Sequence, residues 1–145
     1  MVIFVDVDVN EIARLGRDFP WQKPSSCPNC NADLWWHGFV LAYFDHLPQA
    51  VFLHRLRCPR CGAVHRLRPK AYWSRFRSTI QVINQTIDRF LNQDWQSQLP
   101  VSRQWQWWRR FCAKAKLMIG FGWEVFPDAF DLLLSWGQIP VSSTL

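Results

Sequence analysis

The sequence predicts an α+β protein, rich in β-strand up to about residue 70 and all-α beyond it. Three observations carry that expectation. Apolar residues alternate or run in strand-sized blocks in VIFVDVDV, LWWHGFVLAYF, AVFLHRLRC and AVHRLRP. Past Ala71 the period lengthens, and Phe76, Ile80, Ile83, Ile87 and Phe90 recur at steps of four and three, with Leu91 beside them. Between the strand blocks stand CPNC at 27–30 and CPRC at 58–61, two thiol pairs spaced as metal-binding turns.

Residues 1–24 read as an extension. VIFVDVDV is a short strand, Asn10 is a candidate cap for a brief helix in EIARLGRDF, and Gly16 and Pro20 stop it. Residues 25–70 hold both thiol pairs, with LWWHGFVLAYF and AVFLHRLRC as a hairpin across DHLPQ and AVHRLRP as a third strand. Residues 71–116 hold two helices. The first is AYWSRFRSTIQVINQTIDRFLNQDW; after WQSQL and a break at Pro100, Ser102 is a candidate cap for RQWQWWRRFCAKAKL. Residues 117–145 form an apolar, aromatic tail with one short helix. Pro127 fits its first turn, Asp128 and Asp131 its positive end, and Gly137 its stop.

Composition bounds the function. The chain of 145 residues is 49% hydrophobic, enough for a real core, and carries ten tryptophans, more than so short a chain can fully bury. No apolar run approaches the ~20 residues needed to span a bilayer. The opening residues carry acids where a secretory leader carries bases, so the chain reads as cytoplasmic, with reduced thiols. The net charge of +6 is unevenly placed. Residues 1–54 hold three bases and six acids, residues 55–116 fourteen bases and two acids, and residues 117–145 three acids and no base. A middle segment at +12 between two ends at −3 is more than solubility needs and points to a polyanion, placing the protein with nucleic acid.

Structural zinc takes four soft ligands in a tetrahedron, and two Cys-x-x-Cys turns at the ends of adjacent hairpins supply them. Cys27, Cys30, Cys58 and Cys61 therefore read as a closed Zn2+ site in a zinc ribbon, with Gly62 easing the second turn. A thioredoxin-like pair would need a βαβ pattern, which is absent. Four thiolates leave no open position for catalytic water. Of the histidines, His54 and His65 lie near the second turn and read as surface or phosphate-facing strand residues. No His-x-Glu accompanies the cysteines, which excludes the deaminase signature. Cys112, on the last long helix, reads as a small buried core residue.

The basic residues fall into two groups. LNQDWQSQLPVSRQWQWWRRF reads as a helix-turn-helix with its recognition helix at about 102–116. Val101, Trp105, Trp108, Cys112 and Ala115 form the stripe expected to pack on the preceding helix. Arg103, Gln106, Arg110 and Lys114 face away, with Gln104 and Trp107 at the margins and Arg109 in the same basic run. That face holds no acid, and Arg and Gln read guanine and adenine edges in the major groove. Upstream, Arg55, Arg57, Arg60, Arg66, Arg68, Lys70, Arg75 and Arg77 read as contacts to the phosphates of double-stranded DNA.

CPNC, LWWHG with its His37–Gly38, LRCPRCGAVHRLRP and the helical region that follows resemble the small zinc-ribbon, transposase-like proteins associated with bacterial mobile elements. The resemblance covers about residues 25–112. It implies DNA binding in transposition or recombination, as a nucleoid-associated accessory or regulator, and brings no catalytic residues. The sequence itself argues against an enzyme: the acids lie mostly at the two ends, there is no RNase H-like βββαβα order, and no His-hydrophobe-His motif occurs. The expected function is thus a non-catalytic, zinc-dependent DNA-binding protein. The alternative is an accessory subunit that docks on a larger recombinase, nuclease or effector complex through the ribbon or the aromatic tail. Phe121, Trp123, Phe126, Phe130, Leu133, Leu134 and Trp136 would serve a protein partner there, or fold back on the helices.

Overall fold

β1 (Val2–Val5), β2 (Trp35–Ala42), β3 (Val51–Arg57) and β4 (Val64–Pro69) form one mixed sheet in the order β1-β4-β3-β2. β2 and β4 run antiparallel to β3, and β1 runs parallel to β4. The computed structural model describes residues 1–94, 98–125 and 128–143. The chain divides into two units, Met1–Thr79 and Ile80–Leu145. The sheet lies in the first, so the strand-helix extension at 1–24 contributes an edge of that sheet.

Alternation along β3 builds two apolar clusters. Val51 and Leu53 pack with Ala42, Phe44, Tyr72 and, from α1 (Val9–Leu15), Val9 and Ile12. Leu56 falls on the opposite face by the two-residue period and packs with Leu34, Leu67, Cys27 and Cys58. The second cluster therefore joins the sheet directly to the cysteine turns. β2 carries one extra residue between its Trp36–Leu56 and Phe39–His54 pairs, and Gly38 sits in that bulge at φ +72°. The cap of α1 is Asp8 rather than Asn10: the Asp8 carboxylate accepts the Asn10 backbone N–H at 2.9 Å, leaving Asn10 inside the first turn.

The helix expected from Ala71 begins only at Ile80; α2 spans Ile80–Leu91. The reason lies in the sheet unit, which takes up the backbone groups of 71–79. Arg68 is 5% exposed and donates from Nε to Trp73 O at 3.2 Å and from Nη2 to Phe76 O. Asp45 N–H donates to Arg77 O at 3.1 Å, the Ser78 hydroxyl donates to the Asp45 carboxylate, and Arg75 adopts φ +69°. These carbonyls point at tertiary donors, and helical periodicity in the sequence cannot outweigh that.

In the second unit, α2 ends in a reversed turn. Asp94 N–H donates to Arg89 O at 2.8 Å, Gln93 N–H donates to Phe90 O at 3.1 Å, and Gln93 adopts φ +57°. α3 spans Val101–Met118 and starts after Pro100, so Ser102 lies in its first turn and caps nothing. Residues 92–100 separate the two helices, more than the three- or four-residue turn of a helix-turn-helix. Trp95, Gln96 and Ser97, where the short WQSQL segment was expected, lie outside the described residues, as do Phe126 and Pro127.

The buried stripe of α3 is rotated from the expected one. Gln104, Trp107, Phe111, Lys114 and Ala115 are buried, whereas Val101 and Trp105 are 56% and 48% exposed. Trp105 and Trp108 do meet α2, with ring centroids 5.8 and 5.5 Å from that of Phe90. The deeper side is set by the tail, which folds back on α3: Phe111 lies 5.1 Å from Trp123 and 6.1 Å from Phe130. α4 (Ala129–Ser135) closes as expected at Gly137, φ +71°, with Gly137 and Gln138 N–H donating to Leu134 and Leu133 carbonyls.

Candidate metal centre and basic faces

The two cysteine turns are copies of one another. CPNCNA and CPRCGA each close with two backbone hydrogen bonds at matching positions. Asn31 N–H donates to Cys27 O and Cys27 N–H to Ala32 O, both at 2.8 Å; Gly62 N–H donates to Cys58 O and Cys58 N–H to Ala63 O, both at 2.9 Å. Each turn needs a left-handed residue after its second cysteine, met by Asn31 at φ +62° and Gly62 at φ +75°. Gly62 is recognisable in the sequence as a turn residue, and aligning the two hexapeptides pairs Asn31 with it.

All four Sγ atoms lie within 4.8 Å of one another. Cys30 and Cys58 are 3.4 Å apart and Cys27 and Cys61 3.8 Å, so none of the four is in a disulfide. A tetrahedron with ~2.3 Å metal–sulfur bonds has edges of about 3.8 Å, so the spacing fits one ion at the centre. Backbone N–H groups support the sulfurs: Asn29 N lies 3.4 Å from Cys27 Sγ and Cys61 N 3.5 Å from Cys58 Sγ. The N–H groups of Cys61 and Arg60 favour the Cys58 thiolate and pull its pKa down to about 6, against burial. At Cys30 the Ala32 N–H favours the thiolate, yet the neighbouring sulfurs and burial push its pKa up to about 11. Four sulfurs this close cannot all ionise without a cation among them. Cys112 stands apart from the cluster, half-buried on α3, with burial raising its pKa to about 11.

His65 is corrected from a surface residue to a buried one. It is fully enclosed, its Nε2 lies 3.4 Å from Cys27 Sγ, and its Nδ1 has no partner among the described residues. Burial lowers its pKa, which favours a neutral ring. Its place on β4, directly opposite Leu56, turns it to the cysteine side of the sheet. Strand parity could have found this: His65 and Leu67 share a face, and Leu67 is core. His54 is half-buried instead, 4.0 Å from the Trp36 ring and 4.2 Å from the Phe39 ring.

The sheet brings three of the basic strand residues together. Arg55 pairs with Arg66 across β3 and β4, and Arg57 lies two residues along from Arg55 on the same face. Arg60 is exposed in the second cysteine turn. None of these four has a carboxylate within ion-pair distance among the described residues. Arg68 does not join them. Its guanidinium lies 5.2 Å from the Phe44 ring and 6.0 Å from the Tyr72 ring, and it holds the loop at 73–76. Lys70 is paired with Asp6 at 2.9 Å, Arg77 lies over the Tyr43 ring at 5.4 Å, and Arg75 is exposed on the turn at 71–79.

On α3 the expected base-reading set splits. Gln104 is fully buried and donates to Leu99 O at 3.0 Å; Trp107 is 4% exposed; Lys114 is 1% exposed and donates to Ile139 O at 2.9 Å and to the Ser142 hydroxyl. These three point inward because each polar end has an internal acceptor and the indole joins the core. Arg103, Gln106, Arg109 and Arg110 remain outward and line a groove of about 840 Å³ with Pro100, Ser102 and Trp105. No family model, curated protein or solved structure matches the chain.

Proposed function

We propose that the chain is a non-catalytic nucleic-acid-binding protein whose sheet unit is a zinc ribbon, held by Zn2+ on Cys27, Cys30, Cys58 and Cys61. The observation that carries the proposal is the row of Arg55, Arg57 and Arg66 on one face of the sheet, with Arg60 exposed in the second cysteine turn, none of the four having a carboxylate partner among the described residues. Clustered, unneutralised arginines bind phosphates and release condensed counterions. Four sulfurs would fill the shell of the ion, so its role in this reading is to hold the two turns against β3 and β4. The second unit adds a face of its own in Arg103, Gln106, Arg109 and Arg110, suited to a DNA duplex, although Gln104, Trp107 and Lys114 no longer belong to it. In this reading the protein acts as an accessory or regulator of a bacterial mobile element, a role supported by the resemblance of the cysteine region to transposase-like proteins.

Docking to a larger protein is the less favoured alternative: Trp123, Phe130 and Leu133 of the tail are buried within their own unit, which leaves Phe121 and Trp136 as its exposed aromatic residues among the described ones. Fluorescence anisotropy of the zinc-loaded full chain with a labelled duplex tests the proposal. Affinity should fall steeply with salt, and Arg57→Gln should weaken binding similarly across sequences while reducing the salt slope by about one. Binding that ignores salt overturns it, as does an absence of binding at low salt to both this duplex and a single strand.

A further inference from the structure

The edge of the sheet beside the cysteine turns carries an aromatic surface that phosphate contacts alone do not explain. Trp35 opens the edge strand β2 and is 63% exposed. It pairs directly with Arg57, so the indole and the guanidinium stand on one face. The next basic row on that face is Arg55 with Arg66 opposite. The half-buried Arg55 extends toward the edge strand, its Nη2 lying 3.8 Å from where a Cβ on Gly38 would stand, while its Nε is buried with no partner among the described residues. Trp35 thus stands beside Arg57, with Arg55 and Arg66 in the next row of the same sheet face.

We infer that this face binds single-stranded nucleic acid, with a base stacked on Trp35 and the flanking phosphates on Arg57, Arg55 and Arg66. The inference rests on the nucleic-acid reading above and sharpens it for the sheet unit. A duplex keeps its bases stacked on one another and offers backbone and groove edges, so it leaves an exposed indole without a partner. A single strand offers π-faces and phosphates in alternation, which matches an aromatic set among cations. Every base has a π-face, so the interaction is sequence-tolerant and differs from the edge reading that Arg103, Gln106 and Arg109 of α3 would perform.

The test uses the zinc-loaded full chain with an oligothymidylate of about twelve residues and a duplex of similar length, compared at one salt concentration. The single strand should bind more tightly than the duplex. Trp35→Ala should weaken single-strand binding by about 5- to 100-fold with the salt slope unchanged, and Trp35→Phe should keep most of the affinity. Arg57→Gln should instead lower the slope. Trp136→Ala removes another half-exposed indole and should change nothing. Metal content measured on each variant confirms that the sheet unit is intact. If the duplex binds as well as the single strand, or if Trp35→Ala leaves single-strand affinity unchanged, the inference fails while the nucleic-acid reading stands. If neither form binds, the nucleic-acid reading itself fails.

Discussion

Replacing Gly62 with alanine tests whether the paired turns are built around a metal. Gly62 adopts φ +75°, and a Cβ there would meet nothing within 4 Å. The cost is therefore conformational and not steric: about 1–2 kcal/mol to hold an L-residue in the left-handed region. The turn donates from Gly62 N–H to Cys58 O, so it cannot relax to another φ without opening the loop that presents Cys58 and Cys61. Because metal binding and turn formation are linked, the cost should appear in metal affinity as a loss of about 5- to 30-fold. Asn31 occupies the matching place at φ +62° in the first turn and is exposed. Asn31→Ala should cost a similar factor. Asn31→Gly should stay within about twofold, since relief of the left-handed strain is offset by the greater freedom of glycine in the open chain. Competition for zinc against a chromophoric chelator measures all three. Gly62→Ala binding zinc as tightly as the parent would refute the reasoning.

Three further outcomes follow from the geometry. Cys58→Ser should abolish stoichiometric metal binding, whereas Cys112→Ser should leave one metal per chain, as read by elemental analysis. Arg68→Ala should destabilise the sheet unit by about 2–4 kcal/mol in urea melts, through the unsatisfied carbonyls of Trp73 and Phe76 and lost packing, while Arg66→Ala, at the exposed neighbouring position, should cost less than about 1 kcal/mol. Burial lowers the pKa of Lys114, so the unfolded chain binds the extra proton between that lowered pKa and 10.5, and stability of the helical unit should rise with pH there. Lys114→Met should remove that part of the pH slope, seen as the difference between melts of the two proteins at pH 8 and pH 10.

The elements legible in the sequence are those with local causes. The four strands fall where alternation and apolar runs placed them, the cysteine doublets meet, and Gly16 and Gly137 end their helices, because side-chain period, turn spacing and glycine φ are properties of a few adjacent residues. The misses share an opposite cause. Helical periodicity ran from Ala71, but Arg68 and Asp45 bond the backbone at 73–77 and delay α2 to Ile80. Gln104 and Lys114 looked like a solvent or DNA face, since charge and polarity are surface signals until an internal carbonyl waits for them. The buried stripe of α3 passes through Phe111 and not the expected Cys112, because a helix face is ambiguous by a residue until its neighbours are known.

By itself the sequence determined the cysteine quartet, the location of the charge and the order of strands before helices. All three reside in composition and short spacing. Tertiary structure decided which of the basic residues face outward. It drew Arg68, Gln104 and Lys114 inside to satisfy backbone carbonyls, placed His65 against Cys27, and left Arg55, Arg57 and Arg66 on the sheet face that carries the open Trp35. A charged side chain is stable either in water or against a buried acceptor, and only the folded chain says which of the two each one meets.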